Sequence, residues 1–262
     1  FKNGGRQGTV TTSSTMTIRS RCCQLRFAPL SANELAATLM ARHGYDEPDA
    51  RATSALAGGS FTPVKRSITA LASSLDLREH ETALHSRRVR EYTLLLARRL
   101  GLKGEAFFMN IGMGALLHDL GKIGVADQIL LKHGELTVEE WQEIRRHPEL
   151  GASLIGGIGF LGNAREIVLS HHEKFDGKGY PAGLSGQAIP LGARIFAVAD
   201  VFDALTTVRP YRIPISYREA RDFIAKESGR HLDPAVVYAF LGIPFAIWAE
   251  VASRNGVTLS EG

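Results

Sequence analysis

Residues 81–100 read ETALHSRRVREYTLLLARRL, and this stretch decides the fold class. Leu84, Val89, Tyr92, Leu96 and Leu100 recur at steps of three to five residues, which lines one face of an α-helix, and Gly101 follows as a stop. Outward from it the same pattern repeats. A second helix is predicted from about 104 to 118 through Phe107, Ile111 and Leu116, and a third opens at Thr137, where Glu140 completes a capping box. Further helices are predicted over 162–172, 191–206, 216–227 (Ser216 with Glu219 as caps) and 234–241, with Asp233 as cap and Pro234 in the first turn. Alternating strand patterns, repeats and heptads are lacking. The expectation is an all-α helical bundle over 66–245, with 246–262 as a helix end and tail. Upstream, 1–30 is rich in Gly, Ser and Thr and reads as a disordered or truncated lead. Residues 31–65 read as a short helix capped by Ser31 and Glu34, then a linker punctuated by Pro48, Gly58, Gly59 and Pro63.

Composition narrows the class of function. The chain has 262 residues and a net charge of +4, too mild for a nucleic-acid coat and better suited to a small anionic ligand. No apolar run approaches the roughly 18–20 residues a membrane helix needs, so no membrane insertion is expected. The only two cysteines, Cys22 and Cys23, are adjacent, which excludes a disulfide framework or a four-thiolate zinc site and points to a reducing cytoplasm.

Histidines and carboxylates carry the chemistry. Glu81 and His85 are four apart, one helical turn, so both can face one metal; taken alone, His85 reads as a core histidine bonded to the glutamate of its own turn. His118 and Asp119 end an apolar helix in LLHDLGKIGV, with Lys122 one turn on, and a buried carboxylate there costs several kcal/mol unless a cation compensates. His147 in RRHPELG reads by itself as a helix-end histidine on the C-terminal dipole. His171 and His172 stand together before a Gly-rich turn, and Asp200 and Asp203 follow an apolar run in ARIFAVADVFDALTTVRPYR. Imidazole and carboxylate donors without thiolate favour iron or manganese, with zinc also compatible. Eight candidate ligands exceed one ion. Two or three divalent ions, about 3.5–4 Å apart in the usual pairs, could hold a bridging hydroxide and clamp a phosphodiester. The arginines Arg87, Arg88 and Arg90 read as a solvated helix face.

The ordered series ETALH, LLHDLGKIGV, RRHPELG, HHEKFDGKGYP, ARIFAVADVFDALTTVRPYR and GRHLDP resembles the HD-GYP family, bacterial cyclic di-GMP phosphodiesterases of the HD phosphohydrolase superfamily, over about residues 70–241. The resemblance implies an all-helical fold, a centre of two or three metals, and hydrolysis of cyclic di-GMP to pGpG or onward to GMP. It implies His118, Asp119, His147, His171, His172 and Asp200 as ligands, with Asp119 bridging and with Glu81 and His85 completing the centre. Lys122 would hold or protonate the scissile phosphate. Arg209 and Arg212 would bind phosphate and guanine, and Tyr180 would line the groove. Glu79 stands where the family often has Asp for a guanine contact.

Other readings stay open at this level. One is an HD phosphohydrolase of a related cyclic dinucleotide. Others are a non-catalytic cyclic di-GMP sensor or docking module, and a di-iron oxygenase, which Lys122 and the arginines disfavour. Homodimerisation and docking to signalling proteins are equally open.

Overall fold

A computed structural model describes residues 17–19, 24–26, 69, 72, 74–76, 78, 84–158, 161–208 and 213–262. The chain divides into two compact units, Phe1–Ser67 and Ile68–Gly262. In the first, β1 (Thr17–Arg19) and β2 (Gln24–Arg26) pair antiparallel with Ile18 opposite Leu25. Apart from these six residues, the disordered or truncated lead expected over 1–30 lies outside the described residues. The helix and linker expected over 31–65 lie outside the described residues.

The second unit is helical throughout its regular elements. Its helices are α1 (His85–Arg99), α2 (Glu105–Leu117), α3 (Asp127–Leu130), α4 (Val138–Arg145), α5 (His147–Ile155), α6 (Ala164–Ser170), α7 (Leu191–Thr206), α8 (Tyr217–Lys226), α9 (Pro234–Leu241) and α10 (Phe245–Arg254). Single 3-10 turns at Leu120–Gly124 and Gly186–Ala188 join them. The all-α class is as expected, and both capping boxes form: Thr137 with Glu140 and Ser216 with Glu219. Asp233 caps α9 by accepting from Ala235 N at 2.7 Å.

One boundary differs. Helix α1 opens at His85, because Leu84 takes a left-handed conformation with φ 111°. The premise that Glu81 and His85 share one turn of a continuous helix is thus corrected: the helix does not run back through residue 84. Leu84 offers no cap, and Asp76 supplies one from a distance, accepting from Ser86 N at 3.2 Å and Ser86 Oγ at 2.6 Å.

Two cores hold the unit together. In the larger, the predicted stripe of α1 (Val89, Tyr92, Leu96) packs on Phe196 and Phe202 of α7, Phe240 of α9 and Trp248 of α10. Each such fully buried side chain contributes about 1.5–3 kcal/mol. The tail beyond α10 returns to α8, with Leu259 in this core and the carbonyls of Ser260 and Glu261 accepting from Tyr217 N and Arg218 N. The smaller core joins Leu116, Leu117 and Leu120 to Ala152, Ile155 and Val168. It seats the end of α2, the start of the 3-10 turn, α5 and α6 against one another, and the functional candidates lie at their ends.

Candidate metal centre

Asp119 follows directly on the end of α2, and its two carboxylate oxygens face different neighbours. Oδ2 lies 2.9 Å from His118 Nε2 and 2.9 Å from Lys122 Nζ, while Oδ1 lies 3.2 Å from His147 Nε2 and 3.8 Å from His171 Nε2. Around it stand two sets of potential metal-ligand atoms, each within 4.8 Å: Asp119, His147, His171 and His172, and His85, His118 and Asp200. Seven of the eight ligand candidates are therefore brought together. Glu81 lies outside the described residues, as do Glu79, Arg209 and Arg212.

Local folding aims each ring. His118 Nδ1 donates to Ala115 O at 2.9 Å, His147 Nδ1 to Ile144 O at 2.7 Å and His171 Nδ1 to Val168 O at 2.8 Å, each a carbonyl three residues earlier. A ring whose Nδ1 carries the proton presents a lone pair at Nε2. His147 thus does engage the last turn of α4, as its helix-end position predicts, and its other nitrogen serves the cluster.

Whether a metal fits can be read from His147 and His171. Their Nε2 atoms are 3.1 Å apart, both rings are buried, and both Nδ1 positions are committed to carbonyls. Two imidazole lone pairs facing each other beside a carboxylate oxygen repel unless a cation lies among them, so the donor set fits a divalent ion.

Protonation agrees with that reading. Burial pushes His171 well below the ordinary imidazole range, and burial with the neighbouring His147 pushes His172 down to about 3, so both rings are neutral near pH 7, the form that can ligate a metal. Burial works against the Asp119 carboxylate, but His118 and Lys122 outweigh it and hold the group well below the usual carboxylate range. For His118, burial opposes the charged form and the Asp119 carboxylate overrides it, raising the imidazole.

Two carboxylates of α7, three residues apart, have different fates. Asp200 joins the second ligand set and is 32% exposed. Asp203 is fully buried and accepts from His85 Nδ1 at 2.8 Å and from Arg88 Nε at 2.7 Å. Arg88 is 1% exposed, so the expectation of a solvated Arg87–Arg90 face is corrected for this residue: α1 turns it inward, where it neutralises Asp203.

The turn after His172 is built on Glu173, a residue without an assigned role in the sequence reading. Buried, it accepts from Ala182 N at 2.8 Å and Leu184 N at 3.0 Å, closing the loop. A Cβ on Gly179 would stand 2.3 Å from Lys174 N, so only glycine lets the loop lie on the His172–Lys174 backbone. Tyr180 then stacks on His172, ring centroids 4.7 Å apart, and the Arg145 guanidinium lies 5.1 Å from the other ring's centroid, that of Tyr180. Burial, aided by Asp119, pushes the Tyr180 hydroxyl up to about 12. Arg78 braces the 3-10 turn, donating to Lys122 O at 2.9 Å and Val125 O at 2.6 Å. No local pattern around Arg78, Arg145 or Glu173 marks these contacts, which arise only from packing.

Comparison with known proteins adds a family. A family model described as HD domain matches residues 10–236. A cyclic di-GMP phosphodiesterase of Vibrio cholerae serotype O1 is 44% identical over 191 residues, 68% of this chain and 38% of that protein. A cyclic di-GMP phosphodiesterase of Thermotoga maritima is 42% identical over 168 residues, 63% of this chain and 45% of that protein. A 3′3′-cGAMP-specific phosphodiesterase of V. cholerae is 39% identical over 173 residues, 65% of this chain and 33% of that protein. The chain spans less than half the length of these relatives. A solved cyclic GMP-AMP specific phosphodiesterase of V. cholerae shares the fold, with a TM-score of 0.54 at 20% identity over 74% of this chain and 55% of that one.

Proposed function

The chain belongs to the HD-domain family, and on that premise we propose that it hydrolyses the phosphodiester bonds of cyclic di-GMP, to pGpG or onward to GMP. The observation that carries this reading is the carboxylate of Asp119 turned toward His118 and Lys122 on one side and His147 and His171 on the other. Relatives named for this activity at 42–44% identity support the substrate.

In this reading Asp119 bridges the ligand sets, with His147, His171 and His172 on one side and His85, His118 and Asp200 on the other, and Glu81 is assigned to the centre from its motif position alone. Divalent ions held there, iron or manganese by the imidazole and carboxylate donors, would supply Lewis-acid polarisation of the phosphate and acidify water. Lys122, whose Nζ is 2.9 Å from Asp119 Oδ2, stands where it can donate to a phosphoryl oxygen and offset its developing charge. Tyr180 is assigned a place lining the substrate groove, and its stack on His172 and the Arg145 guanidinium over its ring hold it there. Arg209, Arg212 and Glu79 are assigned phosphate and guanine contacts from their motif positions. A small intracellular messenger as substrate supports a cytoplasmic site of action. Separately, no single helix among the described residues is long and apolar enough to cross a membrane.

A second reading, hydrolysis of 3′3′-cGAMP, is favoured by the relatives specific for that nucleotide. The test is incubation of the purified chain with each cyclic dinucleotide under iron(II)- and manganese-replete conditions, following linear product. Product from cyclic di-GMP at the higher kcat/KM is expected. Faster turnover of 3′3′-cGAMP would favour the second reading, and no product with either metal would overturn both.

A further inference from the structure

Three imidazoles of the two ligand sets are held from behind by backbone carbonyls, and a fourth, His85, is held differently. Backbone carbonyls, which are neutral, back His118, His147 and His171. His85 donates instead to the carboxylate of Asp203 at 2.8 Å, while its Nε2 stands 3.6 Å from Asp200 Oδ1 in the second ligand set. Asp203 has no exposure, and an isolated carboxylate there would neutralise itself. The Arg88 guanidinium clasps it, Nε to Oδ1 at 2.7 Å and Nη2 to Oδ2 at 3.0 Å, so the buried carboxylate lies against a fixed positive charge. Both residues are buried and stand in neither ligand set, and Asp203 meets the second set at His85.

A carboxylate behind a ligating imidazole fixes its tautomer and raises its basicity, and loss of such a partner weakens metal binding roughly 10–100-fold. Resting on the metal-hydrolase reading above, we propose that Asp203, held by Arg88, is a positioning residue for His85. Through it, occupancy of the His85–His118–Asp200 position depends on a buried ion pair, whereas occupancy of the Asp119–His147–His171–His172 position does not. One substitution remote from solvent would then separate the two ions.

The test counts metal rather than turnover. The full chain is stripped, reloaded with manganese(II), desalted and assayed for bound metal, with electron paramagnetic resonance reporting whether the ions are magnetically coupled. Wild type should retain two or more ions per chain with a coupled signal. Folded Asp203→Asn should lose one ion, its affinity at that position falling about 10–100-fold, and show an uncoupled signal like that of His85→Ala. Should the single variant fail to fold because Arg88 is left unpaired, Arg88→Gln/Asp203→Asn removes both charges, keeps amides to bond one another, and gives the same readout. A folded variant with wild-type metal content and affinity, or one that loses every ion equally, overturns the role of Asp203. A wild-type chain that retains no manganese overturns the metal reading itself, and this inference with it.

Discussion

Gly121 packs against the backbone of His147 so closely that a Cβ at position 121 would stand 1.8 Å from the His147 carbonyl oxygen and 2.6 Å from Gly151 N. That approach brings the 3-10 turn after Asp119 onto the first turn of α5. Backbone cannot swing aside as a flexible side chain can, so Gly121→Ala must push α5 away. The expected cost is about 1–3 kcal/mol, with reduced manganese retention because His147 moves off Asp119. Urea unfolding and metal analysis check both; a variant as stable and as metal-rich as wild type would refute the contact's importance.

Asp119→Asn keeps the shape of the side chain but replaces one accepting oxygen with a donating amide. Since both oxygens face ligand sets, bound metal should fall by at least one ion per chain and cyclic di-GMP hydrolysis by on the order of a thousandfold. Metal analysis beside a steady-state assay decides the point, and full metal content with intact turnover would remove Asp119 from the bridging position.

Tyr180 acts through its ring. With the hydroxyl pKa pushed up to about 12 it stays neutral at any assay pH, so Tyr180→Phe should leave KM within about twofold. Tyr180→Ala loses both the stack on His172 and the Arg145 contact, worth about 0.5–1.5 kcal/mol, and should raise KM up to roughly tenfold. Equal effects of the two substitutions would assign the role to the hydroxyl instead.

His231 sets a pH dependence outside the ligand sets. Burial, then Lys174 nearby, holds its folded-state pKa below the ordinary 6.5. The unfolded chain therefore takes up this proton at higher pH than the folded chain. The stabilisation is fully present above about pH 6.5 and is lost as pH falls from there through the folded value. In chelator, unfolding free energy should drop more between pH 7 and pH 5 for wild type than for His231→Gln. Parallel pH slopes for the two chains would contradict this.

What the sequence alone determined is local. The three- and four-residue spacing of Val89, Tyr92 and Leu96, the Thr137–Glu140 and Ser216–Glu219 boxes, and Pro234 after Asp233 specify helices whose ends fall within a few residues of those expected, since period and capping depend only on near neighbours. The histidines and aspartates at helix ends stood out for the same reason: apolar helices have no other use for them. Only the tertiary structure decided which charges meet. Asp200 and Asp203 look alike in sequence, and Arg88 looks like Arg87, yet α1 packed on α7 buries Arg88 against Asp203 and leaves Asp200 beside His85 and His118. Burial changes the free energy of a charge by several kcal/mol, and burial is a property of the packed interface between two helices more than 100 residues apart, which no local pattern records.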